Sequence, residues 1–234
     1  MHIEVLYPEV CNLYGDTANM RYLAQSIPEA RFTETSLNDI PSFVTSNIDM
    51  VYMGPMTEGT QKIVIERLAP YKSNLNDFAE SGKPALITGN ALEIFTEGIE
   101  TDNGEFIEGL GMFEAKARRD MKKRFNSLYL GKFEDFDVVG FKNQFSHSYA
   151  QNSENYFLDT IRGSGLSPEN KLEGLRKKNF IATYLLGPIL ILNPLLMSWY
   201  MNKLGSDNEP AFCQAAMTSY KIRLKEFKNN KTRY

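Results

Sequence analysis

The sequence predicts an α/β fold built on a parallel sheet, with antiparallel strands added in its second half. Two observations carry that expectation. Strand-like and helical runs alternate through the first half, as parallel sheets with crossover helices require. The second half then turns to strand-like stretches separated by turn-forming and charged segments. At 234 residues and 42% hydrophobic content, the chain can bury a substantial core. Ile3-Glu4-Val5-Leu6-Tyr7 alternates as a strand does, and Tyr14-Gly15-Asp16 reads as a turn with Asp16 placed to cap a helix. Met20, Leu23, Ala24 and Ile27 share one face of that helix. Strands follow at Arg31–Thr35 and at Met50–Met53, the second stopped by Gly54-Pro55. Ile63, Ile65, Leu68, Leu75 and Phe78 recur at helical spacing with a break near Pro70, and Gly82 precedes the short strand Ala85-Leu86-Ile87.

Beyond this point strands are expected at 127–133, 138–141, 157–161 and 180–185. Asn193-Pro194 introduces a helix with Leu195, Leu196, Trp199, Tyr200 and Leu204 on its apolar face, ended near Gly205. From Pro210 a last helix carries Phe212, Ala216, Tyr220, Leu224 and Phe227, then gives way to a basic tail over 228–234. The chain thus divides into a domain over 1–205 and a helical extension with a basic tail over 206–234.

A net charge of −3 gives no basic field, so nucleic acid is not an expected partner. The apolar run over 189–196 is interrupted by Asn193 and Pro194 and falls short of the roughly 20 residues a membrane span needs. No charged segment followed by an apolar stretch opens the chain, which predicts a cytoplasmic protein. Cys11 and Cys213 have no metal-type spacing around them, so both read as reduced, packed thiols, and neither metal nor cofactor is expected.

Leu6-Tyr7-Pro8-Glu9-Val10-Cys11-Asn12-Leu13-Tyr14-Gly15-Asp16-Thr17-Ala18-Asn19 resembles the opening signature of the cobyric acid synthase-like glutamine amidotransferases. The amidotransferase subunit of lipid II isoglutaminyl synthase is the branch it is most similar to. Further matching pieces follow in order: Gly109-Leu110-Gly111-Met112-Phe113, Val139-Gly140-Phe141-Lys142-Asn143, Glu173-Gly174-Leu175, and Thr183-Tyr184-Leu185 with Gly187-Pro188 and Asn193-Pro194. The resemblance covers about residues 1–205. It implies a flavodoxin-like class I sheet with helices on both faces, a cysteine on a tight strand-to-helix turn, and a histidine that exchanges protons with glutamine. It also implies an ATP-using, Mur ligase-like partner that receives the ammonia.

This chain departs from that chemistry. In Ala85-Leu86-Ile87-Thr88-Gly89-Asn90 the resemblance sets Thr88 at the nucleophile's place, and Leu186 at the place of the base. An alcohol without a base gives essentially no nucleophile near neutrality, and leucine moves no proton. Thr88 therefore reads as a hydroxyl serving the turn, and Leu186 as a core residue. The loop Gly54-Pro55-Met56 would supply oxyanion amides, but Pro55 has no N–H; Gly89 and Asn90 complete the pocket positions. Arg124 and His147 are the candidate ligand-binding residues, Arg124 at the glutamine entrance and His147 as a displaced base. Against them stand a solvated basic surface of Arg118, Arg119, Lys122, Lys123 and Arg124, and an ordinary strand or loop histidine. The expected function is binding: a catalytically degenerate scaffold or regulatory subunit for a Mur ligase-like or other ATP-dependent synthetase. Two alternatives stay open, an active amidotransferase with an unconventional nucleophile, and a small-molecule sensor that uses the former glutamine pocket.

Overall fold

The computed structural model describes residues 1–150 and 155–229. Its first half alternates β1 (His2–Leu6), α1 (Ala18–Ser26), β2 (Arg31–Thr35), α2 (Ser42–Thr45), β3 (Met50–Met53), α3 (Glu58–Leu68), α4 (Lys72–Glu80) and β4 (Ala85–Thr88). A single 3-10 turn at Pro70 separates α3 from α4, as the proline predicts. Then come β5 (Gly98–Glu100), β6 (Phe106–Glu108), β7 (Ala115–Arg119), β8 (Phe125–Phe133), β9 (Phe136–Gln144), β10 (Ser146–Ala150), β11 (Tyr156–Arg162), β12 (Leu172–Lys177) and β13 (Phe180–Thr183). The chain closes with α5 (Ile189–Leu192), α6 (Pro194–Lys203) and α7 (Cys213–Lys228).

Nine strands form one sheet in the order β2-β1-β3-β4-β13-β12-β11-β8-β9. The five from β2 to β13 are parallel, and those from β12 outward are antiparallel. The strand period of two sorts their side chains. Ile3, Val5, Met50, Tyr52, Leu86 and Ile181 meet α1, α5 and α6 on one face. Leu6, Val51, Met53, Ala85, Ile87 and Ala182 meet α3 and α4 on the other. Both faces of the central strands β3, β4 and β13 are thus covered, which is why they are almost wholly apolar, whereas the edge strand β2 is mostly polar. A second, four-stranded sheet, β10-β7-β5-β6, joins the α3 side through Ile99, Ala115 and Ala117. The sequence reading did not foresee this sheet, because β5 and β6 are three residues each, too short to show a period.

Several local expectations change. Ile63 was placed on the apolar face of its helix, but it is exposed, and Gln61, Val64, Ile65 and Leu68 are buried instead. Pro194 does open α6, yet Asn193 does not cap it. Its side-chain amide donates to the Val139 and Ile189 carbonyls and accepts from the Val139 N–H, pinning α6 to β9. Through Tyr220 and Phe227, α7 packs on Leu128, Leu130 and Val139 of β8 and β9, whereas Phe212 precedes the helix and is exposed. The basic tail expected over 228–234 falls outside the described residues beyond Asn229.

The antiparallel half is held by a fully buried ion pair. Lys142 of β9 donates to Glu173 of β12 and to the Gly165 carbonyl at 2.5 Å. Glu173 also accepts from the Thr183 hydroxyl and the Tyr184 N–H, both at 2.9 Å. Burial pushes the Lys142 ammonium down from the usual lysine range while Glu173 holds it up. Removing one member leaves an uncompensated buried charge, so Lys142→Met should cost about 3–5 kcal/mol in urea unfolding. Lys142→Met with Glu173→Gln should lose clearly less than the sum of the two single changes.

Candidate functional site

The site lies at the carboxyl end of β4, where strand turns abruptly into a 3-10 segment over Gly89–Phe95. Thr88 is still extended strand, with φ −118° and ψ 153°. The vertex of the turn is Gly89, at φ +61°. Glycine holds that left-handed conformation without the Cβ strain any other residue would carry.

Leu186 is brought to this vertex by the sheet. β13 runs beside β4 with Thr183 in register with Thr88, and three residues on, Leu186 exchanges two backbone hydrogen bonds with Phe141 of β9, at 2.8 and 3.1 Å. From there its side chain faces Gly89: a Cβ at residue 89 would lie 3.1 Å from Leu186 Cδ2. The same Cβ would lie 2.6 Å from Pro55 Cβ, closer than two carbons can pack. Pro55 is fixed in turn, since its carbonyl accepts from the Leu13 N–H at 2.9 Å and its neighbour Met56 is locked to Asn90. The Met56 N–H donates to Asn90 Oδ1 at 3.0 Å, and Asn90 Nδ2 donates back to the Met56 carbonyl at 2.8 Å. Gly54 packs on the Cys11 carbonyl with no room for a side chain. Gly54, Pro55, Met56, Gly89, Asn90 and Leu186 thus form one buried, apolar plug.

Thr88, which the sequence set at the centre, belongs to a different cluster. Its hydroxyl donates to Asp16 at 2.5 Å. Asp16 was expected to cap α1. Its carboxylate is instead buried, and the same oxygen accepts from Tyr52 at 2.8 Å and from Asn19 Nδ2 at 3.1 Å. Burial raises the Asp16 carboxyl above its ordinary value, and these three donors offset part of that rise. Asn19 Oδ1 accepts from the Leu190 N–H at 2.9 Å, which carries the cluster to α5. The opening signature is therefore a polar lock between β3, β4, α1 and α5.

A second buried cluster lies across the plug, and the sequence reading missed it. Glu93 accepts from Gln61 at 3.0 Å and from the Tyr184 hydroxyl at 3.3 Å, and pairs with Arg119 at 3.7 Å. Arg119 was grouped with a solvated basic surface, but its side chain is 7% exposed and also donates to Gln61. Burial raises the Glu93 carboxyl, partly countered by Gln61 and Arg119. A glutamate four residues beyond the turn was the one signal available to find it.

Arg124 is exposed, its guanidinium 5.1 Å from the Phe145 ring. His147 sits on β10 with its ring 5.1 Å from Phe125 and 3.5 Å from Gln144. Burial, with Lys142 nearby, lowers the His147 pKa from the usual histidine value. Arg124 thus contacts an aromatic ring between β9 and β10, and His147 one at the start of β8. Cys11 is buried, and burial pushes its thiol up to about 12, which makes it inert. Of four surface cavities of 330 to 440 Å³, none is lined by Pro55, Gly89 or Leu186. No helix of the described residues is long and apolar enough to cross a membrane.

Residues 2–193 match the CobB/CobQ-like glutamine amidotransferase domain. The lipid II isoglutaminyl synthase (glutamine-hydrolyzing) subunit GatD of Staphylococcus aureus (strain N315) is 24% identical over 82% of this chain and 79% of its own. The GatD subunit of Streptococcus pneumoniae (strain ATCC BAA-255 / R6) is 25% identical over 82% of this chain and 76% of its own. In fold, the chain is similar to PurLQS from Thermotoga maritima, with a TM-score of 0.56 at 14% identity over 95% of this chain and 98% of that one.

Removing the Asp16 carboxylate leaves Thr88 only the Met53 carbonyl at 3.5 Å, while Tyr52 and Asn19 keep the Asp16 main-chain carbonyl at 2.8 and 2.9 Å. Asp16→Ala should therefore lower stability by about 1–3 kcal/mol in chemical denaturation, and Thr88→Val by about 1–2 kcal/mol. The double variant should cost less than their sum, because both act on one cluster. Gly89→Ala should cost at least about 1–2 kcal/mol from backbone strain alone, with the Pro55 contact adding to it.

Proposed function

The chain belongs to the CobB/CobQ-like glutamine amidotransferase family, and from that premise we propose that it is a glutaminase-type subunit retained for binding, without glutaminase chemistry. The observation that carries this reading is that Leu186 faces Gly89 and not Thr88. In a nucleophile turn the reacting atom belongs to the residue at the vertex, where φ is positive and the side chain projects from the end of the strand. Gly89 fills that description, one residue beyond the Thr88 assigned from sequence. Glycine has no atom to attack glutamine, so no thioester forms. Leucine cannot accept or return the proton that a departing ammonia needs.

The surroundings support the same reading. Pro55 fills the space of a side chain at residue 89 and removes one oxyanion donor, and the Met56 N–H is spent on Asn90. Losing one such donor costs on the order of 10²- to 10³-fold in turnover. Losing a catalytic nucleophile or base costs on the order of 10⁶-fold in a triad enzyme, and such losses are not additive. In this reading the former glutamine pocket is a packed joint and takes no metabolite.

What remains is association. The staphylococcal and pneumococcal relatives are named as subunits of a glutamine-hydrolysing synthase that acts on a cell-wall precursor. The proposed partner is accordingly a Mur ligase-like or other ATP-dependent synthetase, at which this chain takes the glutaminase's place as scaffold or regulator.

Purified protein, alone or with a co-purified synthetase, should release no glutamate from glutamine above the uncatalysed rate. Turnover that disappears in Thr88→Ala would return the nucleophile to Thr88 and overturn the reading. Gly89→Cys with Leu186→His should remain silent, because Pro55 still occupies the site. Adding Pro55→Gly should permit covalent labelling of residue 89 by a glutamine-like electrophile, read by mass spectrometry. Mild affinity isolation from the native host should yield a stoichiometric synthetase, and reproducible isolation without one would count against the scaffold role.

A further inference from the structure

On the opposite flank of α1 from the polar lock, a crevice of about 330 Å³ opens between α1 and the edge strand β2. Its floor is apolar, made by Val5 of β1, Phe32 of β2 and Met20 of α1. Phe32 is part-buried against the core and lines the crevice. Two charged side chains stand at the rim, Arg21 of α1 and Glu34 of β2, both exposed. Neither has an ion pair or a side-chain hydrogen bond among the described residues.

The crevice opens beside the carboxyl ends of β1 and β2, one strand from the β1–β3 boundary where the strand order reverses. Val5 and Glu34 are the next-to-last residues of β1 and β2, and the β1–α1 loop forms the near wall. The volume lies at the small end of the range for ligand pockets, and an apolar body with a few placed polar groups is their usual make-up. An unpaired carboxylate near the end of β2 suits a vicinal diol, whose two O–H groups it can accept together. An unpaired guanidinium suits a phosphate, which it grips with two parallel N–H donors. The Phe32 ring between them offers a stacking surface to a flat heterocycle.

We propose that this crevice binds a ribonucleoside monophosphate, with the base against Phe32, the ribose diol on Glu34 and the phosphate on Arg21. The size admits one nucleotide and not two. This role is separate from the plugged site at Gly89 and gives the chain a small-molecule input on another face.

Titration calorimetry of the full chain with AMP, GMP, CMP and UMP tests it. At least one of the four should bind more tightly than 1 mM, a limit of about 4 kcal/mol. Arg21→Ala and Glu34→Ala should each weaken that nucleotide about 10-fold or more, with the melting temperature unchanged because both side chains are exposed. The 2′-deoxy analogue should bind more weakly than the ribonucleotide to the wild type, but equally to Glu34→Ala. The unphosphorylated nucleoside should lose the effect of Arg21→Ala. Absence of binding by all four at millimolar concentration, or binding indifferent to both substitutions, overturns the proposal.

Discussion

The carboxylate of Asp16 is the constraint on which the site's architecture depends. A carboxylate taken from water must be met by hydrogen bonds, or it costs several kcal/mol. Tyr52, Thr88 and Asn19 meet it, and in doing so they fix the ends of β3 and β4 to the start of α1. Asn19 extends the same chain of bonds to α5, the element that follows Leu186. The turn at Gly89 is thereby anchored on its strand side, with the Thr88 hydroxyl held below the sheet's edge instead of at the vertex.

That anchoring fixes the turn within an amidotransferase-like architecture. The positions nearest the vertex are occupied by packing: Pro55 and Leu186 close on Gly89 as core residues close on one another. Around the plug, two buried polar systems replace what catalysis would have required of the fold. Asp16 secures one side, and Glu93 with Arg119, Gln61 and Tyr184 secures the other. Their carboxyls are raised by burial, a pattern often met in active sites. Here both are enclosed and met by hydrogen-bond donors from neighbouring elements.

The antiparallel half has a different logic. β8, β9, β11 and β12 extend the sheet beyond β13, and the Lys142–Glu173 pair and the Asn193 amide knit them to the parallel half and to α6. Covering β8 and β9 falls to α7, so the C-terminal helix completes the sheet's outer face rather than standing apart from it.

Most of the parallel half is legible in the chain alone. β1 through β4 with α1, α3 and α4 carry their own periods and glycine or proline stops, both local properties, whereas the four-residue α2 was not foreseen because it is too short to show a period. The residue types on which the proposal rests are legible there too, since no cysteine stands near residue 88 and leucine fills position 186. Which residue is the vertex follows from the folded backbone. Gly89 and Thr88 are adjacent in the chain, and the sign of φ and the approach of Pro55 and Leu186 separate them. The same holds for Asp16, read as a helix cap because its partners lie 36 and 72 positions away. It holds too for Arg119, read as solvated because the pattern of β7 shows charge but not the buried Glu93 it meets. Local periodicity reports which face a residue takes, whereas a polar cluster is fixed by which distant strands the sheet order brings side by side.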